Sequence, residues 1–231
     1  MTALVLHGGG GPRTVQGIAD HLAPFMDVIL PTHPGWDGID RPATINGVDD
    51  LAALYLDLLA ERDLTDVLVI GSSLGGWTAA EMAVRDSRRI GKLVLIDAVG
   101  ITVEGEPMAD FFALDPRGVA EYAWHDSERY YVDPATMPQA QLEMQQANRA
   151  TMLAIAADMH NPTLAGRLSE VRVPTLVIWG ESDRIVTPGY GRAYADAFAN
   201  AEFQVVTEAG HLPQLEQPAA TFALLDAFWK E

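Results

Sequence analysis

Three residues in this chain have the types and surroundings that nucleophilic catalysis requires. Ser73 lies in Gly71-Ser72-Ser73-Leu74-Gly75, a G-x-S-x-G pattern set between an apolar run and a helical pattern. A serine that attacks a carbonyl must project its hydroxyl from a sharp, strained turn, and the flanking glycines leave room for that turn. The same glycines fix the register, because Ser72 would need glycine at 70 and 74, where Ile70 and Leu74 stand. A hydroxyl is a weak nucleophile, so it needs a base, and the base needs a group that orients it. His211, within VTEAGHLPQLEQP, supplies the base, and Asp183, within IWGESDRIVTP, supplies the acid. Asp97, after LVLI, is the rival acid because it too follows an apolar run.

Attack on a carbonyl places negative charge on its oxygen, which calls for fixed N–H donors. The segment LVLHGGGGP at 4–12 is a glycine loop whose amides are free to turn inward. Gly9 is the expected first donor, with Gly10 as second choice, and Leu74 just after the nucleophile is the other. A dinucleotide fingerprint does not fit the same loop, since the third glycine position falls on Arg13 or Thr14. A phosphate-binding loop is excluded by the lack of a following Gly-Lys-Ser/Thr, and no HExxH or His pair at i, i+4 suggests a metal. His7, at the head of the loop, is expected to pack or bond the loop backbone.

These side chains converge only if a sheet carries them to one edge. Six apolar runs read as strands: Ala3–Leu6, Asp27–Leu30, Val67–Ile70, Lys92–Ile96, Thr175–Trp179 and Glu202–Val206. Most are continuous rather than alternating, as expected of strands covered on both faces. Helical patterns at 14–24, 48–62, 75–86, 188–199 and 218–229 separate them. The alternation implies a mostly parallel sheet with helices on both faces. Ser73, Asp183 and His211 each follow a strand, which is the edge where such sheets build active sites.

Between 102 and 165 the alternation lapses, and the pattern is helical over EYAWHDSERYY and QAQLEMQQANRATMLAIAAD. Residues 102–165 therefore read as a helical cap inserted into a core made of 1–101 and 166–231. Phe111, Phe112, Tyr122 and Trp124 in the cap are candidates to line a substrate pocket, together with Gly10, Trp36 and Leu212. Packing of cap on core is the competing reading for these aromatics.

Composition narrows the classes further. A chain of 231 residues with 48% hydrophobic content can bury one substantial core. Its formal net charge of −17 repels phosphate backbones and anionic lipid, so nucleic-acid and membrane partners are not expected, and solubility alone is the competing reading of the acidity. Cysteine is absent, which rules out disulfides and a thiolate nucleophile. With no basic leader pattern in MTALVLHGGGG, a cytoplasmic setting is the expectation.

Taken in order, His7-Gly8-Gly9-Gly10, Gly71-Ser72-Ser73-Leu74-Gly75-Gly76, Gly180…Asp183 and Gly210-His211…Glu216-Gln217-Pro218 resemble the α/β-hydrolase superfamily, in particular its small capped bacterial members. His33-Pro34-Gly35-Trp36 also matches a loop of that family. Members usually open with an antiparallel hairpin, whereas this chain starts almost at the strand leading to His-Gly. The resemblance therefore implies a sheet of six strands in the spatial order second, first, third, fourth, fifth, sixth. The second strand then forms an exposed edge, and pairing of two copies into a homodimer there is one consequence the sequence allows. Relatives that open haloalkanes or epoxides use Asp where Ser73 stands. The resemblance thus points to a carboxylesterase-like serine hydrolase that needs no cofactor. Ring-cleavage carbon–carbon hydrolases also use Ser and a similar glycine loop, although many have an aromatic residue where Leu212 follows His211. A ligand-binding protein on the same fold, or acyl transfer to an acceptor other than water, is the remaining alternative.

Overall fold

The computed structural model describes all residues, 1–231. The first half of the chain runs β1 (Thr2–Leu6), α1 (Gln16–Leu22), β2 (Asp27–Ile29), α2 (Val48–Glu61), β3 (Val67–Ser72), α3 (Leu74–Arg85) and β4 (Ile90–Ile96). Four helices follow without a strand: α4 (Pro116–Ala123), α5 (Ser127–Tyr130), α6 (Gln139–Ala156) and α7 (Leu164–Leu168). The chain then closes with β5 (Thr175–Gly180), α8 (Pro188–Ala197), β6 (Ala201–Val206), α9 (Pro213–Glu216) and α10 (Pro218–Lys230).

The six strands form one sheet in the order β2-β1-β3-β4-β5-β6, and every pair is parallel. Parallel strands need crossovers, and α1, α2, α3 and α8 supply them. Successive side chains of a strand point to opposite faces. Leu4, Leu6, Val67, Val69, Leu93, Leu95, Val177 and Trp179 accordingly join one core with α2, α3 and α8. Ala3, Val5, Leu68, Ile70, Val94, Ile96, Leu176 and Ile178 join a second core with α1 and α10. Burial on both faces accounts for the unbroken apolar runs of β1, β3 and β5. β2 is an edge strand of only three residues, none of them buried.

The sequence expectation of one helix across EYAWHDSERYY is corrected. Helix α4 stops at Ala123, Trp124 is extended, and the Asp126 side chain caps α5 by accepting the Arg129 N–H. The physical cause is tertiary: the Ala123 carbonyl accepts the His211 N–H at 2.7 Å instead of continuing the helix. The one-turn helices α7 and α9 were not expected either, being too short to show a periodicity. No helix is long and apolar enough to cross a membrane.

At the β3–α3 junction the backbones of neighbouring elements approach closely. A Cβ on Gly71 would lie 2.2 Å from the Gly75 carbonyl oxygen, and one on Gly75 would lie 2.2 Å from that of Leu6. The two glycines let the turn close and let α3 press on β1. Gly75→Ala must push the helix off the strand, and overpacking of this kind costs about 2–3 kcal/mol. Urea unfolding should show that loss as a lowered midpoint with an unchanged slope; an unaltered midpoint would contradict the contact.

Candidate active site

Ser73 sits alone between β3 and α3 at φ 55 and ψ −118, a left-handed conformation that costs free energy for a residue with a Cβ. Its N–H donates to Ile96 O at 2.9 Å, and its carbonyl accepts the Trp77 N–H at 3.0 Å. These bonds to β4 and α3 hold the turn in its strained form. The hydroxyl is thereby aimed out of the sheet edge, where Ser73 Oγ meets His211 Nε2 at 2.9 Å. On the other side of the ring, His211 Nδ1–H donates to Asp183 Oδ2 at 2.7 Å. The second oxygen, Asp183 Oδ1, accepts the N–H groups of Ile185 and Val186 at 2.8 and 3.2 Å. Asp183 is thus buried, bonded at both oxygens and fixed in direction, and it sets the tautomer that leaves Nε2 free to accept the serine proton.

Asp97 is brought to the same place but does not bond the imidazole. Its Oδ1 accepts the Gly180 N–H at 2.9 Å, while Oδ2 is buried without a partner. Of the two acids left open by the sequence, Asp183 alone touches His211 Nδ1.

The glycine loop runs directly beside the serine, since a Cβ on Gly8 would lie 2.9 Å from Ser73 Cβ. The N–H groups of Gly9, Gly10 and Leu74 donate to no acceptor within the protein. Leu74 also opens α3, whose N-terminus adds positive potential. Two histidines brace the loop. His7 Nδ1–H donates to Gly8 O at 2.7 Å, and His7 Nε2 accepts the His33 N–H at 3.0 Å. His33 Nε2–H donates to His7 O at 2.8 Å, and His33 Nδ1 accepts the Tyr55 hydroxyl proton. Each ring therefore needs one bare nitrogen and is neutral. Burial lowers His7 to about 4 and pushes His33 well below its ordinary range of 6.5.

The placement of the other expected site residues differs. Trp36, a candidate to line the pocket, is fully buried: its ring lies edge-on to His7 and His33, and its indole N–H donates to Gly9 O at 3.0 Å. It braces the glycine loop from behind. Phe111 and Phe112 pack on the larger core, with the Arg149 guanidinium over both rings. Trp124 stacks on Tyr130 at 4.6 Å, and Tyr122 is exposed. Phe111 and Phe112 thus pack cap on core and Trp124 packs within the cap, while Tyr122 faces solvent. Gly10 faces the Thr14 methyl, and Leu212 is the half-buried residue that opens α9.

Two residues that the sequence did not single out meet the site. Met152 of α6 covers the glycine loop, its sulfur within 2.4 Å of where a Cβ on Gly9 would lie. Glu216, noted only as part of the Glu-Gln-Pro pattern, accepts the Gly210 N–H at 2.6 Å with Oε2 and the N–H groups of His125 and Asp126 at 3.0 and 3.2 Å with Oε1. The Arg184 N–H meanwhile donates to Tyr122 O. Segment 121–126 is thereby fastened to both loops that carry Asp183 and His211.

A parallel six-stranded sheet with a serine, a histidine and an aspartate in line at its C-terminal edge defines a hydrolase of the α/β class. The chain belongs to the alpha/beta hydrolase family, whose model matches residues 3–224. It is 28% identical over 247 residues to 2-hydroxy-6-oxononadienedioate/2-hydroxy-6-oxononatrienedioate hydrolase 1 of Pseudomonas putida, covering 96% of this chain and 85% of that enzyme. Its fold matches a serine hydrolase from the polyaromatic-hydrocarbon-degrading bacterium Cycloclasticus zankles with a TM-score of 0.82, at 19% identity over 100% of this chain and 90% of that one. A meta-cleavage product hydrolase from Pseudomonas fluorescens matches with a TM-score of 0.78, at 19% identity and the same coverage.

The buried neutral histidines carry a pH signature. An unfolded chain protonates these rings near 6.5, whereas the folded one holds His7 neutral down to about 4. The folded values are depressed, so the associated stability is complete above 6.5 and is lost as pH falls toward 4. Urea titrations across that range should show unfolding free energy falling with pH, and His33→Gln should flatten the dependence. An unchanged slope in that variant would mean that His33 is already protonated in the fold.

Proposed function

We propose that the protein is a serine-dependent hydrolase of a small molecule, and that the bond it breaks is a carbon–carbon bond beside a ketone, of the ring-cleavage type. The 2.9 Å contact of Ser73 Oγ with His211 Nε2 carries the serine chemistry. The likeness to the Pseudomonas putida enzyme favours carbon–carbon cleavage over the ester cleavage that the resemblance alone implies.

Ser73 attacks the ketone carbon as His211 takes its proton and Asp183 stabilises the imidazolium. The oxyanion sits between the N–H groups of Leu74 and of Gly9 or Gly10, each donor contributing about 3 kcal/mol. The carbon–carbon bond then breaks, and its electron pair leaves on a carbon conjugated to an electron-withdrawing group. His211 delivers the proton to that carbon, which leaves an acyl group on Ser73. Water activated by His211 releases the acid. The scheme calls on no cofactor. Residues 102–165 act as the cap over this edge.

An ester substrate would follow the same path, with an alcohol oxygen as the protonated leaving atom. Leu212, in place of the aromatic found in many ring-cleavage relatives, supports that second reading.

Mass spectrometry after fluorophosphonate treatment should find the adduct on Ser73. Purified protein should turn over 2-hydroxy-6-oxononadienedioate faster than p-nitrophenyl acetate. Ser73→Ala should lower kcat on the order of 10⁴-fold or more, and Asp183→Asn about 10³–10⁴-fold. Turnover of the ester alone would replace the carbon–carbon reading with the ester one. Absence of both turnover and adduct would leave a binding protein.

A further inference from the structure

Asp97 is the one buried carboxyl at the site that the mechanism above does not use. It follows β4 directly, at a left-handed φ of 45, and is fully buried. One of its oxygens has a donor, Gly180 N–H, which ties it to the end of β5. The other, Oδ2, has none. Its carboxyl, that of Asp183 and the His211 ring place ligand atoms within 4.8 Å of one another. Two carboxylates this close and out of water cannot both be ionised at neutral pH unless cations surround them. The groups whose charge acts on Asp97 are Asp183 and Glu216, both acidic, and the His211 ring lies beside them with its Nδ1 bonded to Asp183.

Asp183 is the member of the pair that is equipped for charge. It receives two backbone N–H groups and the imidazole N–H, whereas Asp97 receives one backbone N–H. The proton therefore belongs to Asp97. A protonated Oδ2 also resolves the orphaned atom, because an acid O–H is a donor and Asp183 is the acceptor at hand.

We propose that Asp97 is a neutral carboxylic acid in the resting enzyme and a positioning residue for the triad, its Oδ2–H donating to the Asp183 carboxylate. Burial and the Asp183 charge raise the Asp97 carboxyl well above the usual range, in the same direction. The bond holds Asp183 in place and spreads its negative charge. The chain in this way keeps both acids that its sequence offers, one ionised against His211 and one protonated beside it. The inference rests on Asp183 being the acid of the triad.

Infrared difference spectroscopy of the full-length protein at pH 7 reads the proton directly. Wild type should show the C=O stretch of a protonated carboxylic acid, and Asp97→Asn should remove it. Asp183→Asn should shift or abolish that band, because its acceptor changes from a carboxylate to an amide. A wild-type spectrum without the band, or a band that neither substitution alters, overturns the proposal. Kinetics supply the positioning readout. Asp97→Asn keeps an N–H donor toward Asp183 and should hold kcat within about threefold of wild type, while Asp97→Ala should lower kcat by about tenfold with KM unchanged. Equal losses in both variants would overturn it. The infrared result does not depend on turnover, so it fails separately from the proposed reaction, which is judged by the Ser73 adduct.

Discussion

The structure depends first on the close approach of α3 to β1 through the glycine-lined turn at Ser73. That approach is tolerated only because Gly71 and Gly75 have no side chains where the carbonyls of Gly75 and Leu6 stand. The strain at Ser73 is offset by ordinary interactions around it: the bond to Ile96, the first turn of α3, and the two apolar cores on either face of the sheet. A strained backbone persists where its surroundings over-determine it. Here the surroundings are the central strands, the part of the sheet least able to give way.

Around that fixed point the site is built by burying polar groups and bonding them almost completely. His7, His33 and Tyr55 form a bonded series beneath the glycine loop, and Trp36 ties Gly9 to the same cluster. Buried polar groups without partners are costly, so such a series has one arrangement rather than several. The free N–H groups of Gly9, Gly10 and Leu74 stand out against this background of satisfied donors.

Much of this was legible in the residues, and the exceptions have physical causes. Glycines at 71 and 75 select Ser73 over Ser72, and the apolar runs fix six strands whose order follows from family resemblance. The sequence could not choose between Asp97 and Asp183, because both follow strands and only the reach of a side chain to His211 Nδ1 separates them. The sequence makes Trp36 a candidate to line the pocket, but His7 and His33, which bury it, contact it only in the fold. The break between α4 and α5 has no strong local signal. It arises where Ala123 O turns to His211 N–H, a partner almost ninety residues away.

That same bond has a consequence for traffic into the enzyme. Segment 121–126 is fastened to the loops of Asp183 and His211 by Ala123, Tyr122, His125 and Asp126, with Glu216 as the clasp. Lifting this segment would release the backbone N–H of His211 and the clasp on Gly210, the very contacts that seat the imidazole. A molecule that entered by prying up this side would arrive at a dismantled relay. Admission and readiness are thus mechanically linked: the doorway compatible with a poised imidazole opens away from this segment, and the residue standing over the glycine loop is Met152.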